Sequence, residues 1–407
     1  MKAVSSRCDG VSEAPIIIPE GASFKDMVGL KGRRDIGDQI NRKVIEPLAT
    51  ANHLPGMPDF NDATRLGRGR EMVKRLTSLI VIFEDCELDP GPNCVDSDNF
   101  LIDCWEYLIG RFAADCQQGK GQFYTPPEVS SLMAKLIGIG QVRTGGATTV
   151  YDPTCGSASL LLKVADQATA DVTLYGQERD WATVALARMN MILHKKRSSV
   201  IEQGNSLANH IAPLRGNEFM TFDYVVAHPP FGDRSWSRGI DAISDPPQRF
   251  KEFAAPPARR GDFAYLLHVV LSLNGTGKGA CILPQGILFR GSSEADIRRN
   301  LVDKGYIKGI VGLPPNLFYG TGIPACIVVI DKLEAHNRKA IFVVDASAGF
   351  VKAGRKNRLR EIDVRRIADA LNSQLVIPGY SRMIGRSEIE KNEFNLNISR
   401  YVQSEAA

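Results

Sequence analysis

Phe222-Asp-Tyr-Val-Val-Ala-His-Pro-Pro-Phe231 is an apolar, β-branched run that stops abruptly at two prolines and an aromatic. A strand cannot continue through Pro-Pro, so its last carbonyls turn outward at its C-terminal edge. In open α/β sheets that edge is where ligands sit. Working outward, short runs of the same kind recur at 148–152, 172–175, 199–201, 279–283, 307–311, 325–330 and 340–344, with helical stretches at 159–168 and 181–193 between the early ones. Strands alternating with helices need crossover connections, which predicts an α/β fold with a mainly parallel sheet covered on both faces.

The chain before these runs reads differently. Ile36, Ile40, Val44, Ile45 and Leu48 recur at helical spacing, as do Met72, Val73, Leu76, Ile80 and Phe83, and then Leu101, Trp105, Leu108 and Phe112. Each set gives a helix one apolar face. Segments 53–61 and 88–97, rich in Pro, Gly, Asn and Asp, read as loops. The expected organisation is a helical N-terminal domain at 1–118, an α/β domain at 119–345 and a C-terminal extension at 346–407, polar and basic with one amphipathic stretch at 362–371.

Composition narrows the class. With 43% hydrophobic and 24% charged residues the chain is that of an ordinary globular protein. No apolar run approaches the length of a membrane helix and Met1-Lys-Ala-Val-Ser5 lacks a signal-peptide core, so a cytoplasmic protein without a membrane partner is expected. Eight cysteines without a C-x-x-C pair and six histidines indicate neither a disulfide framework nor a zinc site. A net charge of +4, with basic clusters at 195–197, 259–260 and 352–360, permits a polyanionic partner without requiring one.

Three loops carry the chemistry. Asp152-Pro-Thr-Cys-Gly-Ser-Ala-Ser159 follows the first strand and opens a helix, with small residues that let a ligand approach the backbone. It is neither G-x-G-x-x-G nor a Walker loop, which argues against hydride transfer and ATP hydrolysis. Glu178, after the second strand and some 20 residues on, is placed to accept hydrogen bonds from ribose hydroxyls. Asn205, after the third, offers an amide to an adenine edge. Either residue alone would be an ordinary turn or cap residue; the conjunction of three such loops is harder to dismiss.

Gln122-Phe-Tyr-Thr-Pro126, Asp152-Pro-Thr-Cys-Gly-Ser157, Tyr175-Gly-Gln-Glu178, Met189-Asn-Met191 with His194, residues 222–231, Leu283-Pro-Gln-Gly286 and Asn395-Leu-Asn-Ile-Ser-Arg-Tyr401 together resemble the modification subunit of type I restriction-modification systems. That resemblance implies a Rossmann-like class I S-adenosylmethionine-dependent methyltransferase domain with a mixed, mainly parallel sheet, acting on adenine N6 in double-stranded DNA. It also implies a DNA-specificity subunit as partner, with a place for a restriction endonuclease subunit. By the same resemblance, Gln122, Phe123, Tyr124, Thr125 and Pro126 line one side of the cofactor. Asp152, Pro153, Gly156, Ser157 and Ala158 cradle its methionine and ribose portion, Glu178 takes the ribose hydroxyls, and Asn205 stands where an Asp near the cofactor adenine is usual. The catalytic set is His228, Pro229, Pro230 and Phe231, which would receive a base flipped out of the duplex.

Two further positions depart from the family pattern. Ala158 stands where a glycine is frequent. His228 stands where the family carries Asn or Asp, whose oxygen accepts an amino hydrogen of the target base. A neutral imidazole has one acceptor nitrogen and a protonated one has none. Losing one preorganised hydrogen bond in a transition state costs about 3 kcal/mol, or about 100-fold in rate. The expectation is slow or absent methylation with cofactor binding retained. The histidine is compatible with a paralogue that lost catalysis, a deliberate substitution or a working variant. The rival functions are a catalytically silent scaffold that binds cofactor and DNA or a specificity partner, and a methyltransferase acting on another substrate such as protein glutamine.

Overall fold

The computed structural model describes residues 16–84, 97–115, 124–196, 198–209, 211, 220–240 and 250–402. The expected domain boundary at 118, the residues Gln122 and Phe123, and most of the expected loop at 88–97 lie outside these. The chain forms two compact units, Met1–Leu108 with Asp180–Arg197, and Ile109–Arg179 with Ser198–Ala407.

In the first unit, Leu30, Ile36, Ile40, Leu76 and Ile80 make a small buried core. Ile36 and Ile40 sit four apart on the helix Ile36–Ile40, and Leu76 and Ile80 four apart on the helix Arg70–Glu84, so each pair shares a face. The helix Ile36–Ile40 runs on through a π-helical turn, Asn41–Ile45, into Glu46–Ala51. The helix Trp181–Leu193 also belongs to this unit, and the Asp180 carboxylate caps it by accepting from the Thr183 N–H at 2.9 Å.

The second unit is built on one large sheet. Its strands are β1 (Thr149–Asp152), β2 (Thr173–Glu178), β3 (Val200–Gln203), β4 (Phe222–Ala227), β5 (Leu273–Pro284), β6 (Ile307–Gly312), β7 (Ala325–Asp331) and β8 (Ala340–Asp345). After these come a separate small hairpin of β9 (Val351–Ala353) and β10 (Lys356–Arg358), and a last sheet strand, β11 (Ser381–Gly385). The spatial order is β3-β2-β1-β4-β5-β7-β6-β8-β11. β7 and β11 pair antiparallel and the other neighbours pair parallel, giving the mixed, mainly parallel sheet that was expected.

The apolar runs follow from burial on both faces, which removes any need for alternation. Val225, Ala227, Cys281, Leu283, Cys326 and Val328 belong to one core with the helix Asp262–Ser272, which packs on β4 and β5. Their alternates Val226, Ala280, Ile282, Ile327 and Val329 are just as buried. The helix Pro127–Ile137, which packs on β5 and on the helices Ser159–Gln167 and Glu361–Asn372, starts at a proline and ends where Gly138 takes φ 69°.

Candidate functional site

The order of strands decides where a ligand can sit. The chain moves outward from β1 to β2 to β3, then returns to place β4 on the other side of β1. The connections leaving β1 and β4 therefore diverge at the C-terminal ends of these two strands, the place where open α/β sheets take their ligands. The loop at 152–159 leaves one and the His228-Pro-Pro-Phe231 loop leaves the other.

Asp152 ends β1 and is 1% exposed. Burial pushes its pKa up to about 7, with the Glu178 charge adding to the rise, against the Thr154 N–H that donates to Oδ1 at 2.8 Å. Pro153 is buried. Gly156 and Ala158 take φ 53° and 63°, a tight left-handed path, and the helix Ser159–Gln167 starts directly after Ala158. Ser157 and Ser159 share a hydroxyl contact of 2.9 Å.

Glu178 draws three strand tips together. Its Oε2 accepts from the Gly156 N–H at 3.1 Å, which ties the end of β2 to the loop after β1. Its backbone oxygen accepts from the Gly204 N–H at 2.9 Å, which ties β2 to the loop after β3. In that loop the half-buried Asn205 accepts from the Leu207 N–H at 3.2 Å, a local turn. The Cys155 N–H donates to the Gln177 carbonyl at 2.9 Å, and its thiol is buried with its pKa pushed well up by desolvation.

In the loop after β4, His228 is buried and Nδ1 lies 3.0 Å from the Thr125 hydroxyl. Burial pulls the imidazole pKa down to about 4, so the ring is neutral near pH 7. It sits between aromatic rings, with centroids 4.7 Å from Phe318 and 5.5 Å from Phe231. Phe231 and Phe318 meet edge-on at 5.9 Å. Tyr124, Thr125 and Pro126 are all buried, and the Tyr124 ring lies 6.0 Å from Tyr319. Thr125 thus joins the His228 loop rather than standing apart from it.

Sequence reasoning passed over the supports of this loop. The Gly232 N–H donates at 2.8 Å to Asp262, whose other carboxylate oxygen accepts from Arg290 at 2.9 Å; Arg290 also reaches Glu294 at 3.1 Å. A buried carboxylate paired with a guanidinium therefore anchors the turn after Phe231. Phe318 was also passed over, although Leu317-Phe-Tyr-Gly320, an aromatic pair set among turn residues after β6, carries a signal. Among the described residues no cluster of His, Cys, Asp or Glu is arranged to hold a metal, and no helix is long and apolar enough to cross a membrane.

The family described as N-6 DNA Methylase matches residues 96–407. The methylase subunit of type I restriction enzyme MpnII from Mycoplasma pneumoniae is 32% identical over 395 residues, 92% of this chain and 70% of that protein. The methylase subunit of MjaVII from Methanocaldococcus jannaschii is 32% identical over 317 residues, 74% of this chain and 52% of that protein. The chain therefore spans from about half to 70% of these relatives. The crystal structure of the type I restriction-modification system methyltransferase subunit from Streptococcus thermophilus superposes with a TM-score of 0.79 at 30% identity, over 96% of this chain and 82% of that one. These similarities bear out the resemblance read from the motifs and the Rossmann-like methyltransferase class of the fold.

Proposed function

Since the chain belongs to the N-6 DNA methylase family, we propose that it transfers a methyl group from S-adenosylmethionine to the exocyclic N6 of adenine in double-stranded DNA. It does so in the cytoplasm as the modification subunit of a type I restriction-modification assembly, with a specificity subunit reading the site and an endonuclease subunit able to join. The observation that carries this reading is the pair of loops at the β1/β4 switch point, one small-residue loop backed by Glu178 and one aromatic Pro-Pro loop.

The residues present fit the cofactor by their chemistry. Tyr124, Thr125 and Pro126, following Gln122 and Phe123, wall one side. Asp152, Pro153, Gly156, Ser157 and Ala158 form a turn with little side-chain bulk, and the Glu178 carboxylate, already an acceptor for Gly156, is suited to vicinal ribose hydroxyls. Asn205 supplies an amide at the third tip. Bound S-adenosylmethionine supplies a methyl carbon activated by its sulfonium, and the electron pair of the broken carbon–sulfur bond stays on sulfur.

The remaining work falls to the His228 loop. The N6 lone pair of adenine is delocalised into the ring, so the enzyme gains by accepting the amino hydrogens and by holding the base still. Phe231 is the stacking surface, and a neutral His228 can accept one hydrogen. An imidazole is bulkier than the amide usual here, and the position of its acceptor differs. His228→Asn in the chain reconstituted with its specificity subunit is therefore expected to raise kcat by about 10- to 100-fold. The test is transfer of labelled methyl to DNA, and the reading fails if neither protein methylates DNA with any specificity subunit.

A further inference from the structure

Thr125 and His228 stand 103 positions apart in the chain, and each is followed by two prolines. Thr125-Pro-Pro127 opens the helix Pro127–Ile137, and His228-Pro-Pro230 ends β4. Proline fixes its own φ and restricts the residue before it, so both side chains project from stiff backbone. They meet at 3.0 Å, each 6% exposed.

The imidazole also meets the rings of Phe231 and Phe318. Its Nδ1 is in hydrogen-bond contact with the Thr125 hydroxyl. A neutral imidazole carries one N–H and one lone pair, and burial keeps this one neutral. With the proton on Nδ1, the N–H is satisfied by Thr125 Oγ1 and the lone pair stands at Nε2. With the proton on Nε2, the Thr125 hydroxyl donates to Nδ1 instead, and the outer edge of the ring carries a donor that cannot accept from an amino group. Only the Nδ1–H tautomer therefore leaves the ring an acceptor beyond the Thr125 contact.

We propose that Thr125 is a positioning residue: its hydroxyl accepts from Nδ1–H of His228, holds that tautomer, and thereby presents the Nε2 lone pair as acceptor to the amino group of the target base. This rests on the methyl-transfer reading above and gives the histidine the polarity that an asparagine oxygen has at the same place. No proton changes hands between His228 and the base; the imidazole accepts a hydrogen bond and stays neutral.

The experiment is nitrogen NMR on the full chain labelled with 15N-histidine, near neutral pH, with His228 assigned by the signal lost in His228→Asn. The nitrogen shifts report which ring nitrogen is protonated. We expect Nδ1–H in the wild type and in Thr125→Ser, and a shift towards Nε2–H in Thr125→Val. In the complex with the specificity subunit, Thr125→Val should lower kcat about tenfold, and Thr125→Ser should recover most of the loss. Nε2–H in the wild type overturns the proposal, as does a valine variant with unchanged tautomer and unchanged kcat. If the wild type transfers no methyl group at all, the reading beneath fails, and the nitrogen shifts then decide the pairing alone: Nδ1–H upholds it and Nε2–H overturns it.

Discussion

Replacing Asp152 by asparagine should stabilise the ligand-free protein increasingly as the pH rises. Asp152 is 1% exposed, and burial, helped by the Glu178 charge, lifts its pKa from 3.8 to about 7. Because the folded pKa lies above the unfolded one, the stability this group contributes is full below pH 3.8 and is lost as the pH rises through 7. A shift of about three units corresponds to about 4 kcal/mol, of which some 1–2 kcal/mol is already lost by pH 5. Asparagine keeps an oxygen for the Thr154 N–H and carries no charge. In urea denaturation without ligand, the advantage of Asp152→Asn over wild type should therefore grow by about 2–3 kcal/mol between pH 5 and pH 8. The same variant should bind S-adenosylmethionine at least about tenfold more weakly, a trade of stability against function common in binding sites. An advantage that stays flat or shrinks with pH refutes the electrostatic reasoning, and unchanged cofactor affinity removes Asp152 from the site.

Two further outcomes follow from the same geometry. Arg290→Ala leaves the buried Asp262 carboxylate without its guanidinium; since the Arg290 side chain is 22% exposed, the loss should sit near the low end for buried pairs, about 2–3 kcal/mol by denaturation. No loss would show that Asp262 is held by the Gly232 N–H alone. Glu178→Gln preserves an acceptor for Gly156 and removes the charge, so calorimetric titration should show cofactor affinity falling about 10- to 100-fold with the fold intact; an unchanged Kd would take Glu178 out of ribose binding.

The strands up to β8 were legible because central strands buried on both faces leave continuous apolar runs, as in Ala325–Asp331. β11 was not, since Ser381-Arg-Met-Ile-Gly385 has little apolar character and is defined by its pairing with β8 at the sheet edge. The first half of β5 was hidden for another reason: Asn274-Gly-Thr-Gly-Lys278 reads as a turn, yet it accommodates the register shift between Phe222 and Tyr224 of β4. The helix Asp262–Ser272 escaped notice because it is buried almost all round, leaving no amphipathic contrast.

For the site, the loops at 152–158, 178 and 228–231 stand out locally because tight turns and strand ends have their own chemistry. The partners that connect them do not. Thr125 beside His228, Phe318 beside Phe231 and Asp262 beneath Gly232 are products of topology, and no sequence spacing announces them. Ala158 falls between the two cases. Its departure from glycine is visible in the sequence, but only the backbone shows that it holds a left-handed conformation immediately before the helix, where its φ of 63° costs about 1 kcal/mol.

The central claim is that the tips of β1, β2 and β4 form a single cleft for the methyl donor and its target. Ultraviolet crosslinking of radiolabelled S-adenosylmethionine to the protein, followed by peptide mapping, tests it directly. Label should appear in peptides carrying 122–126, 152–158 or 228–231 and disappear with excess S-adenosylhomocysteine. Label confined to the opposite end of the sheet, around Arg143 and Lys278, or no competable label at all, would contradict it.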